Sequence, residues 1–172
     1  MKLPQIVFQT SPRWFVVSKP PGWALAARVT HDQPSVERYL TPISGSKRLY
    51  FPMETDTRIS AISIVCTDRG IQAQFEKFKE LRLIHCTYRV HIDCACIDID
   101  KDILPQGVNI RCDEENRMCA HVETDQPLTM KRLSDSVGGR LCNHDVKLYR
   151  IGFPDPLNPK SAEHLIVEDS LI

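Results

Sequence analysis

The chain has 172 residues, of which 42% are hydrophobic and 26% charged, proportions typical of one soluble globular domain. Its 22 basic and 22 acidic residues cancel, which excludes the strongly basic composition typical of proteins that bind nucleic acid mainly through its phosphates. There is no apolar run of membrane-spanning length, and seven irregularly spaced cysteines without a secretory signal argue against a disulfide framework. We therefore expect one domain over residues 1–172 in an intracellular compartment, with mitochondrion, cytoplasm and nucleus left open.

The first third of the chain predicts a strand, a rigid turn and a short helix. Residues 14–18 are β-branched and aromatic and predict a strand, which the Lys-Pro-Pro-Gly run at 19–22 must end. Residues 34–40 carry Val36 and Leu40 four positions apart, which predicts a two-turn helix opened by Pro34.

The middle of the chain predicts a strand, an amphipathic helix and a long half-buried strand. Residues 61–66 are apolar, and the helical spacing of Ile71, Phe75 and Phe78 follows them. Residues 84–94 alternate between apolar and polar side chains, and this alternation changes phase near residues 94–96, which predicts a bulge or turn there.

The remainder predicts a hairpin or loop followed by short strands. Residues 98–115 are acidic and contain Pro105 and Gly107, whereas 118–123, 147–153 and 163–167 have strand character. Together these elements indicate a β-rich α+β domain without repeats or an internal linker.

Five sequence blocks, in order and at compatible spacing, resemble the catalytic domain of RluA-type RNA pseudouridine synthases. Residues 15–22 resemble the opening strand and its Lys-Pro-x-Gly turn, and 56–65 resemble the block that contains the nucleophilic aspartate, here Asp56. The third block contains Tyr88 in a Lys-x-Tyr-like motif. In the fourth block Arg132 precedes Gly139 by seven residues, and Gly139 precedes Asp145 by six. The fifth block is the closing strand at 148–156.

The resemblance implies a mixed, mostly antiparallel sheet with a few flanking helices, a central active-site cleft and no auxiliary RNA-binding domain. It implies isomerisation of uridine to pseudouridine in a structured RNA, either rRNA or tRNA, without metal or organic cofactor. Asp56 would be the nucleophile, Arg132 its ion partner and Tyr88 the ring that stacks on the extruded base. The expected RNA-binding residues are Lys19, Arg58, Arg89, Lys131 and Arg140. Ribosomal or other ribonucleoprotein subunits are possible partners.

Several positions depart from the family pattern. Glu54 replaces an arginine two residues before the nucleophile and would disfavour ionisation of Asp56, which an Asp56–Arg58 ion pair would offset. The other departures are Ile59, Ala61, Cys86, Thr129, Met130 and His144.

Two readings of this pattern stay open at the level of sequence. One is an active enzyme, and the other is a catalytically inactive member of the fold that serves as an RNA-binding or ribonucleoprotein scaffold. Asp56 taken alone also suits a turn or a helix cap, and Tyr88 and Arg132 taken alone suit a strand aromatic and a solvated cation. A zinc site among Cys94, Cys96, Cys112, Cys119 and His121 is disfavoured by its spacing.

Overall fold

A computed structural model describes residues 1–27, 32–97, 104, 106–138, 141–142 and 145–169, together with the backbone but not the side chain of Cys96. In these residues the chain forms eight strands and three helices. The strands are β1 (Gln5–Ser11), β2 (Trp14–Lys19), β3 (Ser60–Cys66), β4 (His85–His91), β5 (Val108–Cys112), β6 (Cys119–Thr124), β7 (Val146–Pro154) and β8 (His164–Glu168). The helices are α1 (Val36–Ser44), α2 (Arg69–Glu80) and α3 (Met130–Ser136).

All eight strands belong to one mixed sheet in the order β1-β2-β3-β7-β4-β6-β5, with β8 paired to β7. The described strand pairs are antiparallel except for β3 and β7, which run parallel and share two residue pairs, Ser60 with Lys147 and Ala61 with Leu148. This short pairing joins two antiparallel halves of the sheet. The predicted α+β class with a mostly antiparallel sheet and few helices is confirmed.

One face of the sheet packs against α2 and α3. Trp14, Phe75 and Phe153 form an edge-to-face aromatic cluster there, with ring centroids 5.3–5.8 Å apart. Ile71, Phe75 and Phe78 of α2 and Leu133 of α3 belong to this core, as the helical spacing of the first three predicts. The Asp68 side chain caps α2 by accepting the Ile71 N–H at 2.9 Å.

Helix α1 covers the opposite face of β2 and β3. Its buried residues Val36 and Leu40 pack with Phe15, Val17 and Val65 in a second cluster. The prediction that Pro34 opens this helix is wrong, because Ser35 is the cap and its hydroxyl accepts the Arg38 N–H at 3.3 Å.

Element boundaries differ from the expectations in the polar parts of the chain. Strand β4 ends at His91, and the predicted break follows as a single 3₁₀ turn at Cys94–Cys96. Strand β5 lies inside the acidic region predicted as hairpin or loop, where it pairs with β6. Helix α3 was not assigned from the sequence. None of the helices within the described residues has the length and apolarity that crossing a membrane requires.

Candidate active site

Asp56 lies in the turn that leads into β3. Its carboxylate Oδ1 accepts the Arg58 backbone N–H at 2.9 Å, so the residue forms a local turn. Such a turn is the structural alternative to a catalytic role for Asp56 that the sequence left open. The Arg58 guanidinium also donates to both carboxylate oxygens, from Nε to Oδ1 at 3.0 Å and from Nη2 to Oδ2 at 2.8 Å. These bonds from Arg58 hold the pKa of Asp56 below its ordinary value. The predicted Asp56–Arg58 ion pair is confirmed.

Lys19 lies beneath this turn, where its ammonium group contacts backbone oxygens. Its side chain is fully buried, and Nζ donates to the carbonyl oxygens of Ile59 at 2.8 Å, Asp56 at 3.2 Å and Thr57 at 3.4 Å. Burial lowers the pKa of Lys19 to about 8, while the nearby charge of Asp56 acts in the opposite direction. The prediction that Lys19 contacts RNA is therefore wrong, because its charge is used inside the protein to hold the turn that carries Asp56.

The turn after Lys19 makes a second backbone connection to the same segment. Gly22 donates its N–H to the Thr57 carbonyl at 2.8 Å and has a φ of 86°, a conformation that side-chain-bearing residues rarely adopt. The Lys-Pro-Pro-Gly run thus ends β2 and supports the Asp56 turn from below.

A cavity of about 400 Å³ opens beside the Asp56 carboxylate. One wall is formed by residues 54–56, a second by Lys79 at the end of α2, and a third by the segment 126–130 that leads into α3. The Lys79 ammonium group donates to the Pro52 carbonyl at 3.1 Å and pairs with Glu76 at 2.7 Å. Lys79 and Gln126 were not identified from the sequence, because only the folded chain brings them to Asp56.

Tyr88 lies in the core below the third wall of this cavity. Its ring is 2% exposed, and its hydroxyl accepts the Leu128 N–H at 2.9 Å and donates to the Leu128 carbonyl at 3.4 Å. Burial raises the pKa of Tyr88 well above its ordinary value, so the hydroxyl stays protonated. The predicted stacking role is corrected, because a stacking residue needs an accessible ring face and this ring has none.

Replacing Tyr88 with phenylalanine should lower the free energy of unfolding by about 1–2 kcal/mol, because the partly buried Leu128 N–H loses its acceptor. Chemical denaturation measures the change. Tyr39→Phe is the matched control, since no described residue bonds to the Tyr39 hydroxyl, and it should leave stability nearly unchanged. Equal effects of the two substitutions would contradict a positioning role for the Tyr88 hydroxyl.

Arg132 does not pair with Asp56, contrary to the prediction. Its backbone N–H is bonded to the capping hydroxyl of Thr129 at 3.3 Å, and its side chain lines a neighbouring cavity of about 340 Å³. The two cavities share Gln126 and Leu128 as lining residues. Arg132 is thus adjacent to the candidate site, and the guanidinium bonded to the Asp56 carboxylate is that of Arg58.

The charges around the two cavities balance. The lining cations are Lys79, Arg82 and Arg132, and the lining anions are Glu54, Asp56 and Asp135. The lining of the two cavities therefore carries no excess of positive charge, in keeping with the balanced composition of the chain.

The remaining predicted RNA-binding residues are dispersed. Lys131 is exposed on α3 and pairs with Asp135 at 3.0 Å. Arg89 is half-buried and, as the strand neighbour of Tyr88, projects from the opposite face of β4, beside a third cavity that Lys147 also lines. Arg140 lies outside the described residues.

The described part of the chain contains no group of three or more His, Cys, Asp or Glu side chains placed to hold a metal ion. Cys86, at the position of the family's lysine, is fully buried in β4, and burial raises the pKa of its thiol. It therefore packs as a small apolar side chain.

The sequence matches no known family profile and no curated protein. The fold, however, is that of pseudouridylate synthases. Human RNA pseudouridylate synthase domain containing 4 superposes with a TM-score of 0.60 at 10% identity, covering 96% of this chain and 87% of that one. Human RNA pseudouridylate synthase domain containing 1 gives a TM-score of 0.58 at 11% identity and 97% and 83% coverage. A further pseudouridylate synthase crystal structure gives 0.54 at 14% identity and 92% and 71% coverage.

Proposed function

We propose that this chain is an RNA pseudouridine synthase that uses Asp56 as its nucleophile. The observation that carries the proposal is a carboxylate bonded through both oxygens to a guanidinium, beside an open cavity of about 400 Å³, on the fold shared with pseudouridylate synthases. The resemblance implies that Arg132 pairs with Asp56. Arg58 forms this pair instead, so the carboxylate keeps a guanidinium partner despite the departures in sequence.

The proposed chemistry requires the uracil to leave ribose C1′ and return through its C5 atom. A carboxylate starts this reaction by attacking the sugar or removing a proton from it, and it must be ionised and correctly oriented to do so. Arg58 supplies both conditions for Asp56, and Lys19 and Gly22 hold the backbone on which the carboxylate stands. Neither a metal nor an organic cofactor takes part in this scheme.

The RNA is proposed to bind across the two adjoining cavities, with its target uridine extruded toward Asp56. Arg132 and Arg82 in the second cavity and Lys131 on α3 are the cations next to this path. Because the cavity charges balance, RNA affinity must depend on few phosphate contacts or on additional partner subunits. An rRNA or a tRNA is the substrate we propose.

Tritium release tests the activity directly. RNA labelled with tritium at uridine C5 should be transcribed in vitro or taken from cells that lack this protein, so that its target uridine is unmodified. We expect tritium release that reaches a plateau at a small number of uridines per RNA molecule, with heat-denatured protein as the blank. Binding of rRNA and tRNA without any release would contradict the proposal and would indicate the silent RNA-binding protein instead.

Removing the guanidinium with Arg58→Ala should reduce tritium release at neutral pH by roughly tenfold or more, because the carboxylate loses its fixed orientation. It should also shift the acid limb of the pH profile to higher pH. Arg58 lowers the pKa of Asp56, so the native carboxylate stays ionised as the pH falls, whereas the variant's carboxylate is protonated earlier. The measurement is kcat/KM for tritium release as a function of pH.

Arg150→Ala is the matched control for Arg58→Ala. Arg150 is a partly exposed arginine that pairs with Glu168 at 3.2 Å and lines neither cavity beside Asp56. Superimposable pH profiles for wild type, Arg58→Ala and Arg150→Ala would contradict the role assigned to the Asp56–Arg58 pair.

A further inference from the structure

The cavity beside Asp56 contains a second carboxylate. Glu54 lies two residues before Asp56, and both side chains line the cavity. Asp56 receives three hydrogen bonds from Arg58, whereas no described residue forms a hydrogen bond or ion pair with the exposed Glu54 side chain. The two carboxylates thus differ in their availability for new bonds.

We propose that Glu54 is the general base that removes the proton from uracil C5, an inference that rests on the proposed function. Once the uracil has rejoined the ribose through C5, that carbon bears both the new C–C bond and its original hydrogen. The C5–H bond then breaks, its electron pair restores the C5=C6 double bond, the π pair of the C6=N1 double bond moves to N1, and the proton passes to a Glu54 oxygen. N1, released when the glycosidic bond broke, takes a proton from water, so the isomerisation balances.

The other side chains lining the cavity are poorly suited to this step. The Lys79 ammonium group is a donor engaged by Glu76 and the Pro52 carbonyl, and the Thr129 hydroxyl accepts the helix-capping bond from Arg132. Asp56 is bound to Arg58 through both oxygens, and the lowered pKa of its carboxyl makes it a weak base. Glu54 is the lining carboxylate that remains.

The exposure of Glu54 suits this role. A base that accepts the C5 proton must pass it to solvent before the next turnover, and an exposed carboxylate exchanges its proton with water directly. The simpler reading is that Glu54 is a surface anion near RNA phosphates. In that case its charge repels the substrate, and removing it raises affinity and rate. The two readings therefore predict opposite signs.

The deciding experiment compares the wild-type protein with Glu54→Gln, Glu54→Asp and the control Glu163→Gln, which changes an exposed glutamate that lines neither cavity beside Asp56. Glu54→Gln should slow pseudouridine formation by roughly 100-fold, the usual contribution of a general base, and leave the RNA dissociation constant unchanged. Glu54→Asp should be intermediate, and formate should partly restore activity to Glu54→Ala.

A kinetic isotope effect identifies the step. With deuterium at uridine C5, Glu54→Gln should show a larger isotope effect on pseudouridine formation than the wild type, because C5–H cleavage has become rate-limiting. Undiminished or faster turnover by Glu54→Gln, or slower turnover without an increased isotope effect, would overturn this inference while leaving the proposed function intact. No activity in the wild-type protein would contradict the proposed function itself.

Discussion

Replacing Asp56 with asparagine should lower tritium release by roughly 1000-fold or more, because the amide cannot act as the nucleophile. Asparagine has nearly the same shape, and its side-chain oxygen can still accept the Arg58 N–H that closes the turn. The melting temperature of the variant should therefore stay close to that of the wild type. Circular dichroism, together with the release assay, separates a loss of chemistry from a loss of fold.

Asp155→Asn is a closely matched control for this substitution. Asp155 forms the same kind of turn, accepting the Leu157 N–H at 2.9 Å, but does not line the cavity. It should retain full activity. If Asp56→Asn kept activity within tenfold of wild type, or if Asp155→Asn lost as much, the assignment of Asp56 as nucleophile would be wrong.

Replacing Lys19 with methionine should lower the free energy of unfolding by about 3 kcal/mol, because the buried carbonyl oxygen of residue 59 and the partly buried ones of residues 56 and 57 lose their donor. The methionine side chain has about the volume of the lysine it replaces and carries no charge to bury, which offsets part of this cost. Release of tritium by the folded fraction should also fall, since the turn that carries Asp56 loses its support. Denaturation in urea measures the first effect.

The contribution of Lys19 to stability should depend on pH in a defined direction. Its pKa falls from an ordinary 10.5 to about 8 on folding, so between these values the unfolded chain binds more protons than the folded one. The stability of the wild type relative to Lys19→Met should therefore rise as the pH increases from about 8 to 10.5. The exposed Lys160 provides the control, because Lys160→Met should change neither the stability nor its pH dependence. A difference between wild type and Lys19→Met that stays flat over this range would contradict the burial of a charged Lys19.

The elements with a strong periodic pattern were predictable from the sequence, and those without one were not. Strand β3 begins one residue before its expected start and ends where expected, and helix α2 contains the three apolar residues whose spacing predicted it, because an apolar strand and an amphipathic helix each satisfy local rules. Helix α3 was not assigned, since its seven residues contain Lys131, Arg132, Ser134 and Asp135 and bury Leu133 and Ser136 alone. Its formation depends on tertiary contacts and on the Thr129 cap.

The site shows the same division. The position of Asp56 and its pairing with Arg58 followed from a motif and a spacing of two residues, both local properties of the chain. The predictions that Lys19 contacts RNA and that Tyr88 stacks on a base were wrong, because the segments that pack over a side chain decide its burial. Arg132 does line a cavity, but its predicted pairing with Asp56 was wrong, because the guanidinium bonded to Asp56 is that of Arg58.

The sequence by itself determined the α+β class and the positions of the periodic elements along the chain, since local periodicity specifies these, and the family motif singled out Asp56 as the candidate residue. Only the tertiary structure decided that Lys19 is buried beneath that turn and that Tyr88 is bonded to Leu128. It alone placed Lys79 and Gln126 around one cavity with Glu54 and Asp56. These contacts join residues up to 72 positions apart in sequence, as between Glu54 and Gln126. They form only when α2 and α3 pack against the sheet that the β3–β7 pairing joins.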